Sequence, residues 1–442
     1  MANSYLDKSA SSGNSTTFTI SAWIKRTVTG TATQIFNAHK ADSIAGHTNF
    51  GIDSNDRLDL STWSVNVLTT NRKLRDTNAF YHVVVQVDST NSTADDRVKM
   101  WINGVQETSF STRNNPSSSQ AFSVNDAAST HTVGAGNQGS GQNQHFDGYI
   151  SHFVLVDGSV VAPTVFGETD ATSGIWKFKS PSGVTFGTNG VHLKFENSGN
   201  LGLDSSGNSN TFTVNGDLKK AIDTPSNVYA TINSLDNGWF DGTFSNGNNT
   251  VVSNASKENY WTSTLGASTG KWYWEVKLAS SGSGRDYVGI ADKISTTNAF
   301  SAYSGNNKMR SYYGYTGVSV VGSTGSTFGD TFGTGDIIGV AMDLDNNKLY
   351  FSKNGVFQNS QNPVTGTNSL AIDASPASGF YYAQAGNIHN TSTTFQVNFG
   401  NGFFGTTAVS SNSGAGEQDD GGEGKFEYDV PAGYRALNTK NI

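Results

Sequence analysis

Apolar residues recur at every second position in one short run after another, and this alternation restricts the chain to β-structure. Phe18, Ile20, Ala22 and Ile24 alternate with Thr19, Ser21, Trp23 and Lys25. Val83, Val85 and Val87 alternate with His82, Val84 and Gln86, and Val191, Leu193 and Phe195 with His192, Lys194 and Glu196. Ile338, Val340, Met342 and Leu344 repeat the pattern, as do Phe395, Val397 and Phe399. Gly, Asn, Ser and Asp clusters of the kind that turn a chain separate these runs. The 3.6-residue period of an amphipathic helix is almost absent. Many short strands at this spacing predict antiparallel sandwiches, an all-β protein.

The chain has 442 residues, enough for two or three domains with cores of their own. KMWINGV (99–105) and FSKNGV (351–356) each run a strand into Asn-Gly, the pair suited to a two-residue turn with positive φ. They lie far apart, which predicts two tandem antiparallel β-sandwiches of the jelly-roll kind rather than a short-period repeat. The alternation breaks over 217–238, a stretch that carries Pro225. The expected division is therefore a sandwich over 1–216, a linker over 217–238 and a sandwich over 239–442. SSNSGAGEQDDGGEG (410–424) reads as an acidic, flexible insertion in the second sandwich.

GKWYWEVKL (270–278) puts three aromatics in consecutive positions. On a strand, Trp272, Trp274, Val276 and Leu278 share one face, while Tyr273, Glu275 and Lys277 share the other. Four large apolar groups on one face suit a sandwich core better than an exposed stacking platform.

Only 14% of residues are charged and the formal net charge is −8, a balance that argues against nucleic acid and anionic lipid as partners. No window reaches the apolar length of a membrane helix. MANSYLDK (1–8) has neither a basic n-region nor an apolar h-region, so no signal peptide is expected. The absence of cysteine excludes disulfides, thiolate metal sites and cysteine catalysis. Synthesis and folding in cytoplasm are expected.

FTISAWIK (18–25), FYHVVVQVD (80–88), VKMWINGV (98–105) and FDGYISHFVLVDGSVVAP (146–163) follow one another in an order that resembles the laminin-G-like, concanavalin-A-like sandwich family over most of 1–216. The segment 191–216 resembles the strand and turn that usually open such a domain, although here it follows. GKWYWEVKL, YVGIAD (287–292), GDIIGVAMDLDNNKLYFSKNGV (335–356) and FQVNFGN (395–401) fall in the order of a SPRY domain, from roughly Trp239 to Ile442. The tandem order, with SPSGVTFGTNGVHLKF (180–195) between the domains and FEYDVPAGYRALNTKNI (426–442) at the end, resembles structural proteins of tailed bacteriophages. That resemblance implies a non-enzymatic virion protein of a tail fibre or similar appendage, assembled in the host cytoplasm. It further implies a homo-oligomer that contacts other virion proteins and host cell-surface glycan, with no cofactor, no nucleic acid and no membrane insertion. A capsid fibre or decoration protein, a bacterial glycan-binding adhesin and a polysaccharide depolymerase are the alternatives.

Cleavage of a glycan on such a sheet needs two carboxylates across the scissile bond. The spacing Glu-x-Asp-x-x-Glu does not occur, and Glu168 and Asp170 in GETDATSG (167–174) read as a polar loop. DLDNNK (343–348) lacks the glycine and the terminal acid of a calcium loop and reads as a hairpin turn. Asp53/Asp56 and Asp95/Asp96 lie in acidic loops whose spacing leaves calcium open. His39/His47 and His145/His152 are pairs that only the fold could bring together. In MRSYYGYTG (309–317) Tyr313 and Tyr315 share a strand face and are expected to pack, which leaves Arg310 and Tyr312 as rim contacts. The triplets at Asn14 and Asn390 read as polar turns. No residue is assigned as catalytic, cofactor-binding or metal-ligating, and the ligand-binding residues are left unassigned.

Overall fold

The computed structural model describes residues 4–40, 46–63, 65–137, 141–236, 242–255, 259–292, 309–321, 324–388, 391–410 and 418–442. These contain strands and three short 3-10 turns, and the chain is all-β. It divides into two compact units. Unit 1 comprises 1–220 with 224–226, and unit 2 comprises 221–223 with 227–442.

In unit 1 the strands in chain order are β1 (Tyr5–Ser9), β2 (Thr17–Arg26), β3 (Thr33–Lys40), β4 (His47–Ile52), β5 (Arg57–Thr62) and β6 (Asn66–Lys73). There follow β7 (Tyr81–Asp88), β8 (Val98–Ile102), β9 (Val105–Gln106), β10 (Phe110–Arg113), β11 (Ser129–Val133) and β12 (Gly136–Asn137). The unit ends with β13 (Gln142–Asn143), β14 (Gly148–Asp157), β15 (Gly167–Thr169), β16 (Trp176–Phe178), β17 (Val191–Leu193) and β18 (Thr213–Asn215). Among the described residues, one sheet runs β10-β6-β5-β4-β3-β11-β1-β18 and a second runs β17-β14-β2-β7-β8-β9. The segment that resembles a domain opening thus closes both sheets, with β17 against β14 and β18 against β1.

The alternating residues do what their period requires. Phe18, Ile20, Ala22 and Ile24 of β2 meet Phe36, Phe50, Leu60 and Leu68 of the other sheet in one core. The off-core row of β2 is buried as well, because residues 158–190 cover it. Thr19 Oγ1 donates to Ser159 O and accepts from Val161 N–H, while Trp23 stacks on His82 at 4.7 Å. Trp176 lies over Gly104 so closely that a Cβ there would stand 2.6 Å from the indole ring. Asn103 and Gly104 both have positive φ (50° and 76°), as do Asn354 and Gly355 (49° and 82°), so both Asn-Gly pairs form the expected tight turns.

Unit 2 opens with β19 (Thr243–Ser245), β20 (Thr250–Val252), β21 (Asn259–Ala267), β22 (Lys271–Ser280), β23 (Asp286–Ala291) and β24 (Arg310–Tyr313). Next come β25 (Val318–Val321), β26 (Thr324–Thr327), β27 (Ile337–Asp343), β28 (Lys348–Lys353), β29 (Val356–Phe357) and β30 (Leu370–Ala371). Then follow β31 (Tyr381–Asn387), β32 (Thr394–Asn398), β33 (Phe403–Phe404), β34 (Thr407–Ala408) and β35 (Arg435–Ala436). The sheet β19-β20-β32-β22-β27-β28-β29 faces the sheet β21-β31-β23-β24-β25-β26 across a core that holds Trp272, Trp274, Val276 and Leu278. The reading of GKWYWEVKL as a core strand therefore holds. Residues 228–232, inside the stretch read as linker, belong to this unit: Ala230 and Ile232 lie in its core, and Tyr229 bridges to Asn438.

The other face of β22 is equally closed, by the C-terminal segment. Tyr273, Ala341 and Tyr350 form a row across β22, β27 and β28, and Phe426, Tyr434, Ala436 and Tyr229 pack on it. Glu275, in the next position of that face, is fully buried. Its carboxylate accepts the Glu427 and Tyr428 backbone N–H groups at 2.9 Å each, with Asn398 Nδ2 and the Tyr273 hydroxyl at 3.3 Å. One corrected expectation concerns 410–424. Residues 411–417 lie outside the described residues, but Asp419 is buried and is no part of a flexible insertion. Its carboxylate accepts the N–H groups of Glu423, Gly424 and Ala436 and the side chain of Asn441. The physical reason is that the two carboxylate oxygens of Asp419 satisfy three inward-turned N–H donors at once.

Two outcomes follow from this packing. Trp274→Ala empties a fully buried aromatic site and is expected to destabilise unit 2 by about 3–5 kcal/mol, measured by denaturant unfolding. Burial pushes the Glu275 carboxyl up to about 7 from its ordinary 4.5, against the pull of its four hydrogen bonds. A raised carboxyl keeps its proton in the folded state, so this contribution to stability is complete below the ordinary value and is lost as pH rises through about 7. Hydrogen exchange at 272–278 is expected to lose protection between about pH 5 and about pH 8, and Glu275→Gln to abolish that dependence. A glutamine variant with the wild-type pH slope would contradict the assignment.

Candidate functional site

Because Phe36, Phe50, Leu60 and Leu68 point into the unit 1 core, their sequence neighbours must project from the opposite face of the eight-stranded sheet. There the register sets Thr213, Asp7, Thr132, Asn37, Asn49 and Ser61 side by side on six successive strands. At the spacing of neighbouring strands this polar row spans roughly 24 Å. A parallel row holds Gln34, Gly51, Asp59, Thr69 and Thr112, and a third holds Ser9, Thr130, His39 and His47. Trp63 stands at the end of β5, 45% exposed, with its ring edge-on to His47 at 5.2 Å.

The side chains of this face carry hydrogen-bonding capacity beyond what they use on one another. Asn37 Nδ2 donates to Asn49 Oδ1 at 2.7 Å, and Asn215 Nδ2 donates to Asp7 at 2.9 Å. Asn37 Oδ1, Gln34 Oε1, Thr132 Oγ1 and His39 Nδ1 find no partner among the described residues. These atoms are buried, as are Asn37, Asn49 and Thr132 as a whole, and each carries a desolvation cost of about 1–3 kcal/mol that no described group offsets. Burial lowers the His39 imidazole from its ordinary value and raises the Asp59 carboxyl, to which Thr69 Oγ1 donates at 2.5 Å. His39 is therefore neutral near pH 7.

The carboxylates of the face do not form a pair. Asp7 on β1 and Asp59 on β5 are four strand spacings apart, roughly 19 Å, where glycoside hydrolysis needs about 5–9.5 Å. Asp53, which also acts on Asp59, is held by Arg57 at 2.6 Å. Ser21 and His82 on the other sheet are hydrogen-bonded at 2.8 Å, but they are no nucleophile and base. Trp176 Nε1 donates to His82 Nδ1 at 3.0 Å, so Nε2 carries the proton and donates to the serine. Burial holds this imidazole down to about 3.

The remaining sequence candidates resolve as follows. Glu168 and Asp170 lie on the β15–β16 hairpin, paired with Lys177 and Lys179, and Asp170 caps its own turn through the Thr172 and Ser173 N–H groups. Asp343 caps the β27–β28 hairpin through Asn346, as DLDNNK suggested. Asp56 is bound by Arg26 and Arg75, Asp95 by Arg113, and Asp96 by Lys99. The fold sets His39 opposite His47, but His152 meets His192 at 3.4 Å rather than His145. Among the described residues no three His, Asp or Glu side chains converge as a metal set. Asn14 caps a turn through the Thr16 and Thr17 N–H groups, and Asn390 lies outside the described residues.

The aromatic run at 309–317 is in the opposite phase to the one expected. Tyr312 is fully buried in the unit 2 core and is no rim contact. Tyr313 is outward, stacked on Tyr287 at 4.4 Å, and Tyr315 is 53% exposed with Arg285 over its ring. Tyr312 is the residue of β24 that meets Phe328, Phe332 and Phe351, and that inward contact fixes the phase of its neighbours. Arg310 donates to Ala371 O. The polar floor of unit 1 was missed because only the apolar half of each alternation was followed. Its signal is the off-core residues of QIFNAHK (34–40), HTNFGI (47–52) and RLDLST (57–62), which are mostly Asn, Thr, Ser, Asp and His rather than Lys or Glu.

Part of each unit matches a known family. Residues 1–166 match the family model of the concanavalin A-like lectin/glucanases superfamily, and residues 271–370 match the SPRY domain. The chain thus carries a laminin-G/concanavalin-A-like domain followed by a SPRY domain. Ran-binding protein 9 and Ran-binding protein 10 of Danio rerio are each 38% identical over 96 residues, 21% of this chain. The chain spans 16% of the length of these relatives. Among solved structures, the SPRY domain of human HERC1 aligns at a TM-score of 0.27 and 16% identity, covering 34% of this chain and 86% of that one. A SAP-like pentraxin from Limulus polyphemus aligns at 0.28 and 15%, covering 36% and 73%.

Proposed function

We propose that the chain is a non-enzymatic binding protein of a tailed-phage particle, on a tail fibre or similar surface appendage, whose unit 1 holds host cell-surface glycan on the outer face of its eight-stranded sheet. The observation that carries this reading is the uninterrupted polar row from Thr213 through Asn37 and Asn49 to Ser61, with Trp63 beside it. Sugar hydroxyls match amide and hydroxyl side chains, and the apolar face of a sugar ring suits an exposed indole. The separation of Asp7 from Asp59 supports binding without cleavage. The phage setting is supported by the resemblance of the tandem order and by a cysteine-free chain, which suits assembly in cytoplasm.

Contacts of this kind are weak singly and gain by repetition on one particle. A glycan array probed with the intact chain, wild type and variants, tests the reading. Trp63→Ala and Asn49→Ala are each expected to weaken binding roughly tenfold, with the thermal midpoint of Trp63→Ala almost unchanged. Binding that survives both substitutions would place the contact elsewhere. Shortening of the bound glycan would make the protein a depolymerase.

A further inference from the structure

Strand β26 is the one sheet edge among the described residues that nothing protects. All four of its residues, Thr324–Thr327, are exposed, and its backbone pairs with β25 alone. Alternate residues of such a strand direct their N–H and C=O groups away from the sheet. Among the described residues the other sheet edges are short, bulged or covered. At the far side of the same sheet, β21 is closed by residues 231–233, through Thr264 N–H to Thr231 O and Asn233 N–H to Thr262 O. Strands β9 and β29 have two residues each, and β18 and β19 have three. Strand β10 is bulged between Phe110 and Thr112 and carries Arg113, and β17 is capped by Asp204 on the His192 N–H.

Charge singles out the same edge. From Ser311 to Gly329 there is no charged residue, in a chain of net charge −8. Exposed edges are ordinarily blocked by lysine, proline or an inward charge, and β26 has none of these. Like strands can therefore approach here without the repulsion that the rest of the surface imposes.

We infer that β26 pairs antiparallel with β26 of a second copy of this chain, extending the six-stranded sheet of unit 2 across a two-fold axis. The axis passes through Ser326, so that Ser326 opposes Ser326 and Gly325 opposes Thr327 of the second copy, and the contact is self-complementary. The row of Tyr313, Val318 and Thr327 runs up to the junction from each side. Four residues bury far less than a standard interface, so self-association in roughly the 0.1–1 mM range is expected, strengthened where many copies are held together.

Sedimentation velocity on the intact chain tests the pairing. The wild type is expected to move from monomer toward dimer as concentration rises through that range, and Ser326→Lys to remain monomeric with an unchanged melting temperature. Amide exchange at 324–327 is expected to slow with concentration in the wild type only. A wild type that stays monomeric throughout, as it would if this edge serves a different protein, overturns the inference. So does a lysine variant that dimerises equally well.

Discussion

A strand covered on both faces must find partners for its polar side chains as well as its apolar ones, and this constraint governs both units. In unit 2 it falls on Glu275, a fully buried carboxylate whose acceptors are filled by backbone N–H groups of Glu427 and Tyr428. The acid fixes where the C-terminal segment crosses the sheet, and Gly339 beside it must lack a side chain, since a Cβ there would stand 2.6 Å from the Tyr273 hydroxyl. In unit 1 part of the same demand is met by uncharged groups: Ser21, His82 and Trp176 form a chain of hydrogen bonds over β2. Leaving any of these donors or acceptors unmet in the interior costs more than a hydrogen bond returns on average.

In each unit one sheet is covered on its outer face, by residues 158–190 in unit 1 and by the C-terminal segment in unit 2. In unit 1 that leaves the eight-stranded sheet as the face on which the proposed glycan contact is placed. Its outer rows are small and polar, with Asn37, Asn49 and Thr132 buried and Trp63 exposed beside them. A face built mainly from Asn, Thr, Ser and His, with Asp7, Asp59 and one exposed indole, offers hydrogen bonds of the kind hydroxyl-rich molecules use.

The fold was legible from periodicity alone wherever a strand has a single apolar row, as in Phe18–Ile24 and Ile338–Met342. Trp274 was placed correctly for that reason. What the sequence concealed are the second-face contacts, because they join residues far apart: Glu275 meets Glu427, and Asp419 meets Ala436 and Asn441. An aspartate in GEQDDGG looks like any solvated acid until its donors are known. The phase of SYYGY was misread because adjacent tyrosines fit either face, and only the contact of Tyr312 with Phe328 and Phe351 breaks the tie. The polar floor needed the register of six strands, and no local pattern contains that.

The claim that the eight-stranded sheet of unit 1 is the contact face is tested most directly by oxidative footprinting of Trp63. The intact chain is oxidised with and without a saturating glycan, and each tryptophan peptide is quantified by mass spectrometry. The account expects Trp63, the exposed indole beside the polar row, to be protected several-fold by the ligand. The fully buried Trp23, Trp261 and Trp274 should be unaffected. Unchanged oxidation of Trp63 while the glycan is demonstrably bound would contradict it.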